Sequence, residues 1–272
     1  RTVADNRDKI AFSSFGRELS YAELDQLSDA FAVYLQQETG LQPGDRIAIQ
    51  LPNINQYPVA VFGAMKAGLV VVNTNPLYTP RELEYQFNDS GAKALVVYKG
   101  VAHNVEKIIA NTGIKSVFVT QVADLHSPLK RLLINSVVKY VKKMEPAYNL
   151  PGAVELRHAL NSKLGQKPLL SNPSSSDVAV LQYTGGTTGV SQGAMLTHAN
   201  LISNCLQGVK LISGANEHWA DKVVAPLPLY HIYAFTISMA VLELGGTNLL
   251  VANPRDINGF VKELKNHSIS AF

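Results

Sequence analysis

The chain has only one cysteine, Cys205, among its 272 residues. A single thiol cannot form an internal disulfide, so cysteine usage gives no sign of an oxidising compartment. Cys205 lies in an apolar helical pattern, which predicts an inert thiol in the core. The sequence from Arg1 onward shows no signal peptide, and we therefore expect a cytoplasmic protein.

Charged residues are also scarce, at 17% of the chain against 46% hydrophobic residues, with a formal net charge of +3. This balance is typical of a globular chain with a large buried core. The net charge is too small to argue for nucleic acid, and no basic cluster is interleaved with aromatic residues. We therefore expect no nucleic-acid partner.

A continuous membrane-spanning run is missing too. Val223–Leu242 contains twenty residues without Asp, Glu, Lys or Arg, which is long enough to cross a bilayer. Pro226, Pro228 and His231 interrupt this stretch. We therefore predict a short strand, a turn and a buried helix instead of a transmembrane segment.

The most distinctive segment that is present combines glycines with hydroxyl side chains. It consists of Tyr183, Thr184, Gly185, Gly186, Thr187, Thr188, Gly189, Val190, Ser191, Gln192 and Gly193. The apolar run Val178–Leu181 before it predicts a buried strand, and Thr197 or Asn200 after it is expected to cap a helix. Glycine backbone can approach a ligand closely, and its N–H groups with threonine hydroxyls form a cradle for an anion, most often phosphate.

Spacing excludes two common phosphate loops. The P-loop requires G-x-x-x-x-G-K-[ST], and no Gly-Lys-Ser/Thr occurs in the chain. The dinucleotide fingerprint requires G-x-G-x-x-G, and the segment lacks its first pair of glycines. The alternative is a glycine- and threonine-rich hairpin without a ligand.

The segment YTGGTTGVSQGA closely resembles the phosphate-binding signature of the AMP-forming adenylating enzymes. Its surroundings, LQYTGGTTG, GAMLTHANL and PLPLYHIYA, resemble bacterial long-chain fatty acyl-CoA synthetases within that superfamily. The similarity covers essentially the whole chain. It implies that a long-chain fatty acid reacts with ATP to give an acyl adenylate, which coenzyme A converts to acyl-CoA, with Mg²⁺ as the main counter-charge.

The resemblance also implies roles for particular residues. It assigns the phosphates of ATP to residues 183–193, and the acyl pocket to Tyr230, His231 and Tyr233. His231 is the implied catalytic residue, close to the fatty carboxylate, whereas the residues by themselves fit a structural histidine equally well. One position departs from the signature, because Gln192 stands where Lys or Arg is usual and carries no charge.

The resemblance further implies parts of the site that lie beyond Phe272, including a ribose-binding Asp and the catalytic Lys of a mobile C-terminal domain. We therefore expect an N-terminal fragment that is inactive alone and that exposes an apolar face, which leaves a homo-oligomer open. Two other interpretations also stay open. In the first, the chain is a non-catalytic phosphate- or lipid-binding relative. In the second, it is an adenylating enzyme for another carboxylate.

Strands and helices alternate along much of the chain. This pattern predicts an α/β fold of repeated βα units, with mainly parallel sheets covered by helices on both faces. One of the predicted helices is Asn104–Asn111. We place a first subdomain at residues 1–176 and a second, beginning at the glycine-rich segment, at residues 177–272.

Residues 122–172 interrupt this rhythm, and their one regular piece, residues 129–144, is named the basic segment here. Its pattern predicts a helix with Lys130, Arg131, Lys139, Lys142 and Lys143 beside five apolar side chains. One interpretation is a helix on an anionic membrane surface, at the inner face of the cell membrane. The other is an ordinary surface helix with a solvated lysine face.

Overall fold

The structure, a computed structural model, describes residues 2–184, 191–213 and 220–271. Within these ranges the strands are β1 (Ile10–Ser14), β2 (Arg17–Ser20), β3 (Arg46–Gln50), β4 (Val70–Asn73), β5 (Ala92–Tyr98), β6 (Ser116–Thr120), β7 (Val154–Glu155), β8 (Val178–Thr184), β9 (Gln192–Thr197), β10 (Lys222–Ala225) and β11 (Thr247–Leu250). The α-helices are α1 (Thr2–Asp5), α2 (Tyr21–Glu38), α3 (Gln56–Lys66), α4 (Pro80–Ser90), α5 (Ala102–Glu106), α6 (Pro128–Ser136), α7 (Leu156–Ser162), α8 (His198–Ser213), α9 (Ile232–Glu243) and α10 (Ile257–Asn266).

The strands form two sheets, with orders β7-β6-β5-β3-β4-β8-β9 and β10-β11-β1-β2. Neighbouring strands run parallel except at one edge of each sheet, where β8 pairs with β9 and β1 pairs with β2 in the antiparallel sense. The prediction of mainly parallel sheets is therefore confirmed.

Both faces of the seven-stranded sheet are buried, as the alternating directions of the side chains along β3 show. Ile47 and Ile49 point into a core with Phe31 of α2, and this core continues to the four-stranded sheet. Ala48, between them, points into a second core with Phe87 of α4. Successive side chains of a strand face opposite ways, so a strand buried on both faces is apolar throughout. Helices therefore cover both faces, as predicted.

Side chains cap the starts of three helices, one of which was predicted above. The amide of Glu23 donates to Ser20 Oγ at 3.1 Å where α2 begins, and Thr79 forms a capping box at the start of α4. At α8, Asn200 N donates to Thr197 Oγ1 at 3.2 Å, and Thr197 N donates to Asn200 Oδ1 at 3.0 Å. Thr197 is therefore the cap, and Asn200 is its reciprocal partner.

The two sheets do not follow the predicted division at residues 176 and 177. β8 lies after this division and pairs with β4 before it. β1, from the start of the chain, pairs with β11 near its end. Each sheet therefore contains strands from both predicted subdomains, 1–176 and 177–272.

The structure corrects several element predictions. Asn104–Asn111 is not one helix, because α5 ends at Glu106 and a 3₁₀ turn occupies Ile109–Asn111. Val105 and Ile108 still lie in the same core. The sequence also missed β7 and α7, which follow the basic segment.

The apolar stretch Val223–Leu242 divides as predicted into β10, a turn and α9. In the part of the chain that the structure describes, no helix combines the length and apolar character needed to cross a membrane.

The basic segment forms α6 followed by a π-type turn over Val137–Val141. Val138 of this segment is buried and Ile134 packs against the core, but its other apolar side chains are exposed. Those exposed are Leu129, Leu132, Leu133, Val137, Tyr140, Val141 and Met144. An ordinary surface helix would bury this face, so the exposure favours a surface that contacts something else.

Candidate functional site at the carboxyl ends of the strands

The ends of β8 and β9 form the base of the glycine-rich segment. Thr184 pairs with Gln192, and Tyr183 pairs with Gly193, so the segment joins two antiparallel strands. The sequence predicted Gln192 and Gly193 as part of the loop, whereas they begin a strand. The remaining predicted phosphate ligands lie outside the described residues: Gly185, Gly186, Thr187, Thr188, Gly189 and Val190.

Tyr183 explains why residue 193 is a glycine. The Tyr183 hydroxyl donates to Asp89 Oδ2 at 2.5 Å, and a Cβ at Gly193 would lie 2.9 Å from the Tyr183 ring. Burial and the Asp89 carboxylate raise the pKa of Tyr183, so the phenol remains a hydrogen-bond donor. Gly193 therefore serves close packing under the loop, and Tyr183 acts there as a buried support.

The mouth of the loop is closed by hydrogen bonds on its outer side. Ser191 Oγ donates to the Thr184 carbonyl oxygen at 3.0 Å, and Tyr85 Oη donates to the Ser191 carbonyl oxygen at 3.0 Å. The side chain of Gln192 is exposed to solvent beside this closure. Strand pairing and these two bonds thus fix where the loop leaves and re-enters the sheet.

Asn53, just after β3, fixes the segment that leads to His231. Its Nδ2 donates to the carbonyl oxygens of Ala225 at 3.0 Å and Leu227 at 2.8 Å. Its Oδ1 accepts from Leu229 N at 2.8 Å. One buried side chain of the seven-stranded sheet therefore satisfies three backbone groups at the end of β10.

A second buried group joins the same segment to β4 and β8. Tyr57 Oη lies 2.7 Å from Asn73 Oδ1 and 2.8 Å from the Leu229 carbonyl oxygen. Asn73 Nδ2 donates to Gln182 Oε1 at 3.2 Å, and Gln182 Nε2 donates to the Tyr230 carbonyl oxygen at 3.1 Å. The acyl-pocket segment predicted from sequence is thereby tied to β8 two residues before its end.

His231 directly follows Tyr230 and begins α9. Its backbone N donates to the Pro228 carbonyl oxygen at 2.9 Å, and its carbonyl oxygen accepts from Phe235 N at 3.0 Å. The His231 side chain is exposed, Tyr230 is half-buried, and Tyr233 is 58% exposed. The structure therefore brings the His231 segment, which follows β10 of the four-stranded sheet, beside the carboxyl end of β8 in the seven-stranded sheet, where the glycine-rich loop begins.

The residues that hold this edge together were missed by the sequence analysis. Asn53, Asn73 and Gln182 each lie at or near the carboxyl end of an apolar strand. That position is the feature of the sequence by which they could have been identified as site residues. Arg255, after β11, was missed as well. Burial and Tyr78 raise the pKa of Tyr230, and the positive charge of Arg255 opposes them.

An apolar cavity of about 580 Å³ lies between α2, α3, α8 and α9. Phe235 and Met239 of α9 line it opposite Leu201 of α8. Cys205 also lines it and is half-buried, so the prediction of a core thiol is wrong. Burial and then Glu243 raise the pKa of Cys205, which keeps it a thiol.

Among the described residues, no group of three His, Cys, Asp or Glu side chains is placed to hold a metal ion. Mg²⁺ is usually bound by one or two carboxylates together with substrate phosphates, and needs no protein cage. The described site therefore fits Mg²⁺ only as an ion carried on the phosphates of a nucleotide.

The glycine-rich segment connects β8 and β9 within a mainly parallel α/β fold, and comparison with known proteins identifies the family that shares it. The chain belongs to the AMP-binding enzyme family, whose sequence profile matches residues 1–272. The resemblance stated from the sequence is therefore confirmed.

Two curated relatives are similar to the chain over most of its length. The chain is 48% identical to a long-chain-fatty-acid–CoA ligase of Escherichia coli O157:H7 over 273 aligned residues, which is 100% of this chain and 48% of the relative. It is 34% identical to a long-chain-fatty-acid–CoA ligase of Bacillus subtilis, covering 85% of this chain and 41% of the relative. The chain thus spans about half the length of the curated relatives that it matches.

Solved structures share the fold. A crystal structure of a long-chain-fatty-acid-CoA ligase from Archaeoglobus fulgidus matches with a TM-score of 0.74 and 23% identity, covering 97% of this chain and 48% of that one. An anthranilate CoA ligase in complex with anthranoyl-AMP matches with a TM-score of 0.80 and 18% identity, covering 98% and 46%. At these identities the likeness supports the fold alone.

Proposed function

We propose that this chain carries the phosphate loop and part of the acyl pocket of a ligase that joins a long-chain fatty acid to coenzyme A. The observation that carries the proposal is the bond from Gln182 to the Tyr230 carbonyl oxygen at 3.1 Å. It holds the His231 segment against the strand that leads into the phosphate loop. A fatty carboxylate at His231 and a phosphate in the loop would then meet at one edge.

The proposed reaction has two steps. A carboxylate oxygen attacks the α-phosphorus of ATP, and pyrophosphate leaves with the electrons of the broken P–O bond. The coenzyme A thiolate then attacks the acyl carbonyl carbon, and AMP leaves. Mg²⁺ bound to the phosphates supplies counter-charge for this chemistry.

The chain's own residues mainly bind and orient. In this proposal the backbone N–H groups and threonine hydroxyls of the glycine-rich segment donate to phosphate oxygens together with the Gln192 side chain, and His231 holds the carboxylate in line with the phosphorus. Tyr230 and Tyr233 flank that carboxylate in this proposal. The support is the placement of both segments at the carboxyl ends of parallel strands, where α/β folds bind ligands.

The cavity between α8 and α9 is our candidate for the alkyl chain. Its volume of about 580 Å³ falls within the range of small-molecule pockets, and its lining is largely apolar. α9 begins at His231, so a carboxylate held there could direct its chain along this helix. None of the described residues of the phosphate loop lines the cavity.

We propose a cytoplasmic enzyme with peripheral contact to the inner face of the cell membrane through the basic segment. The support is the exposure of seven of its apolar side chains beside four lysines and Arg131, which an ordinary surface helix would not show. The other exposed apolar surfaces are also compatible with a homo-oligomer.

The function is tested with the full-length protein. We expect it to catalyse pyrophosphate exchange into ATP only when a long-chain fatty acid is present, with little exchange on acetate. The 272-residue chain alone is expected to show no exchange, because the resemblance assigns further parts of the site to residues beyond Phe272. Exchange that another carboxylate supports better than fatty acids would replace the proposed substrate.

A separate prediction concerns Gln192. In the full-length protein, Gln192→Lys should lower the dissociation constant for MgATP about fivefold, since a charged donor adds about 1 kcal/mol over a neutral one. Fatty-acid affinity should not change, and the gain should shrink as salt rises because Gln192 is exposed. Calorimetric titration at two ionic strengths measures both effects.

Met195→Lys is the matched control, because Met195 lies three residues along the same strand and is 70% exposed. An equal gain in both variants would show a general charge effect with no contact at residue 192. If neither Gln192→Lys nor the parent protein binds MgATP, the chain is the non-catalytic phosphate- or lipid-binding relative.

A further inference from the structure

The basic segment borders a cleft that the proposed ligase chemistry does not use. This cleft, of about 430 Å³, lies at the carboxyl ends of β5, β6 and β7, at the far edge of the sheet from β8. Four cations face two carboxylates in its lining. These charged residues are Lys99, Arg131, Lys139, Arg157, Asp124 and Glu155.

Both carboxylates are already engaged. Asp124 Oδ2 accepts from Gln121 N at 2.7 Å and from Thr120 Oγ1 at 3.0 Å, and Glu155 pairs with Lys99 at 2.5 Å. The other three cations of the cleft form no ion pair within residues 2–184, 191–213 and 220–271. The cleft therefore presents positive charge that suits an anion.

One further carboxylate lies close by. Glu145 is buried, and its Oε2 accepts from Gln121 Nε2 at 2.6 Å. Burial raises the pKa of Glu145, whereas Gln121 and Lys99 oppose that rise. Burial lowers the pKa of Lys99, but Glu155, Tyr148 and Asp124 together raise it by more, so Lys99 keeps its charge.

The helix beside the cleft is anchored by Asn135 together with Ile134 and Val138, and most of its other apolar side chains are exposed. Asn135 Oδ1 accepts from Ala123 N at 3.1 Å, and its Nδ2 donates to Asp124 Oδ1 at 3.2 Å. Leu132 and Tyr140 both line the cleft, yet they are 67% and 68% exposed. Apolar side chains at the rim of a basic cleft match the boundary between lipid headgroups and acyl chains.

We propose that this cleft binds the phosphate group of an anionic phospholipid in a bilayer, while Leu132 and Tyr140 enter the headgroup boundary. The proposal rests on the membrane contact proposed above and adds a specific headgroup site to it. Arg131 and Arg157 are the principal ligands, because one guanidinium group can donate two parallel hydrogen bonds to the oxygens of a phosphate. The exposed apolar rim favours a membrane lipid over free phosphate as the occupant.

Sedimentation of the full-length protein with vesicles tests the site. The parent protein should bind vesicles of phosphatidylcholine mixed with phosphatidylglycerol much better than phosphatidylcholine alone. Arg131→Gln with Arg157→Gln should reduce this preference about 30-fold, at about 1 kcal/mol for each arginine. Lys139→Gln, on an exposed side chain outside the core, should reduce it severalfold by itself.

The matched charge control is Lys107→Gln with Lys115→Gln. It removes two exposed lysines, and Lys115 precedes β6 at the amino end of the strand, away from the cleft. Leu132→Ser should weaken binding to both kinds of vesicle, whereas Leu169→Ser, at a side chain that is 85% exposed elsewhere, should weaken neither. Equal losses in the test and control pairs would reduce the effect to net charge and overturn the site.

The remaining outcomes separate the headgroup site from the membrane contact. Vesicle binding without any preference for phosphatidylglycerol would overturn the site and keep the contact, and absence of vesicle binding would overturn both. Inorganic phosphate that binds through Arg131 and Arg157, with no vesicle preference, would assign the cleft to free phosphate. A dimer that Leu132→Ser dissociates, without vesicle binding, would assign the face to a second copy. None of these results depends on adenylation.

Discussion

In the full-length protein, His231→Ala is expected to slow formation of the acyl adenylate about a hundredfold, the cost of one oriented donor at a reacting group. The affinity for MgATP should remain nearly unchanged, because His231 begins α9 and the phosphates are assigned to the loop between β8 and β9. Single-turnover adenylation by rapid quench and calorimetric binding of MgATP separate the two quantities.

His103→Ala is the control for loss of a histidine, since His103 is half-buried on α5 and lines neither the loop nor α9. It should leave the adenylation rate unchanged. If His231→Ala adenylates at the parent rate, then His231 is a structural residue and the carboxylate is held elsewhere. If His231→Ala loses MgATP affinity as well as adenylation rate, then His231 belongs among the phosphate ligands.

The largest effect on stability is expected at Asn53. Asn53→Leu keeps a similar volume but removes partners from three backbone groups, at 2.8–3.0 Å in the present structure. Each buried group without a partner costs about 1–3 kcal/mol, and relaxation of the segment recovers part of this. The free energy of unfolding should therefore fall by about 3 kcal/mol in urea titrations, with an unchanged slope.

Asn149→Leu is the comparison, because Asn149 is exposed and its replacement should change the free energy of unfolding by less than about 0.5 kcal/mol. An equally small change at Asn53 would mean that other contacts hold residues 225–229. In the full-length protein, Asn53→Leu should also slow adenylation, since residues 225–229 lead directly to His231.

Much of the fold follows from local sequence. Ser20, Thr79 and Thr197 mark helix starts because a side-chain oxygen satisfies amides only three residues away. The apolar run of β8 and the alternation of strands and helices likewise predicted a buried, mainly parallel sheet. Each of these signals acts within a few residues, so the sequence displays it directly.

Other local patterns misled because several conformations satisfy them. The run after Gln192 forms β9, which the sequence did not predict, and the glycine-rich segment thereby has the hairpin geometry that the sequence analysis left open as an alternative. The apolar face of the basic segment was compatible with burial or exposure. The bonds of Asn135 to Ala123 and Asp124 decide the orientation of α6, and no local rule contains those bonds.

The sequence by itself therefore determined the fold class, the family and the glycine-rich segment. Only the tertiary structure decided that β1 pairs with β11, and that Asn53, Asn73 and Gln182 hold the His231 segment beside that loop. The reason is physical: a buried polar side chain needs a partner, but its own sequence neighbourhood does not say which distant strand supplies it.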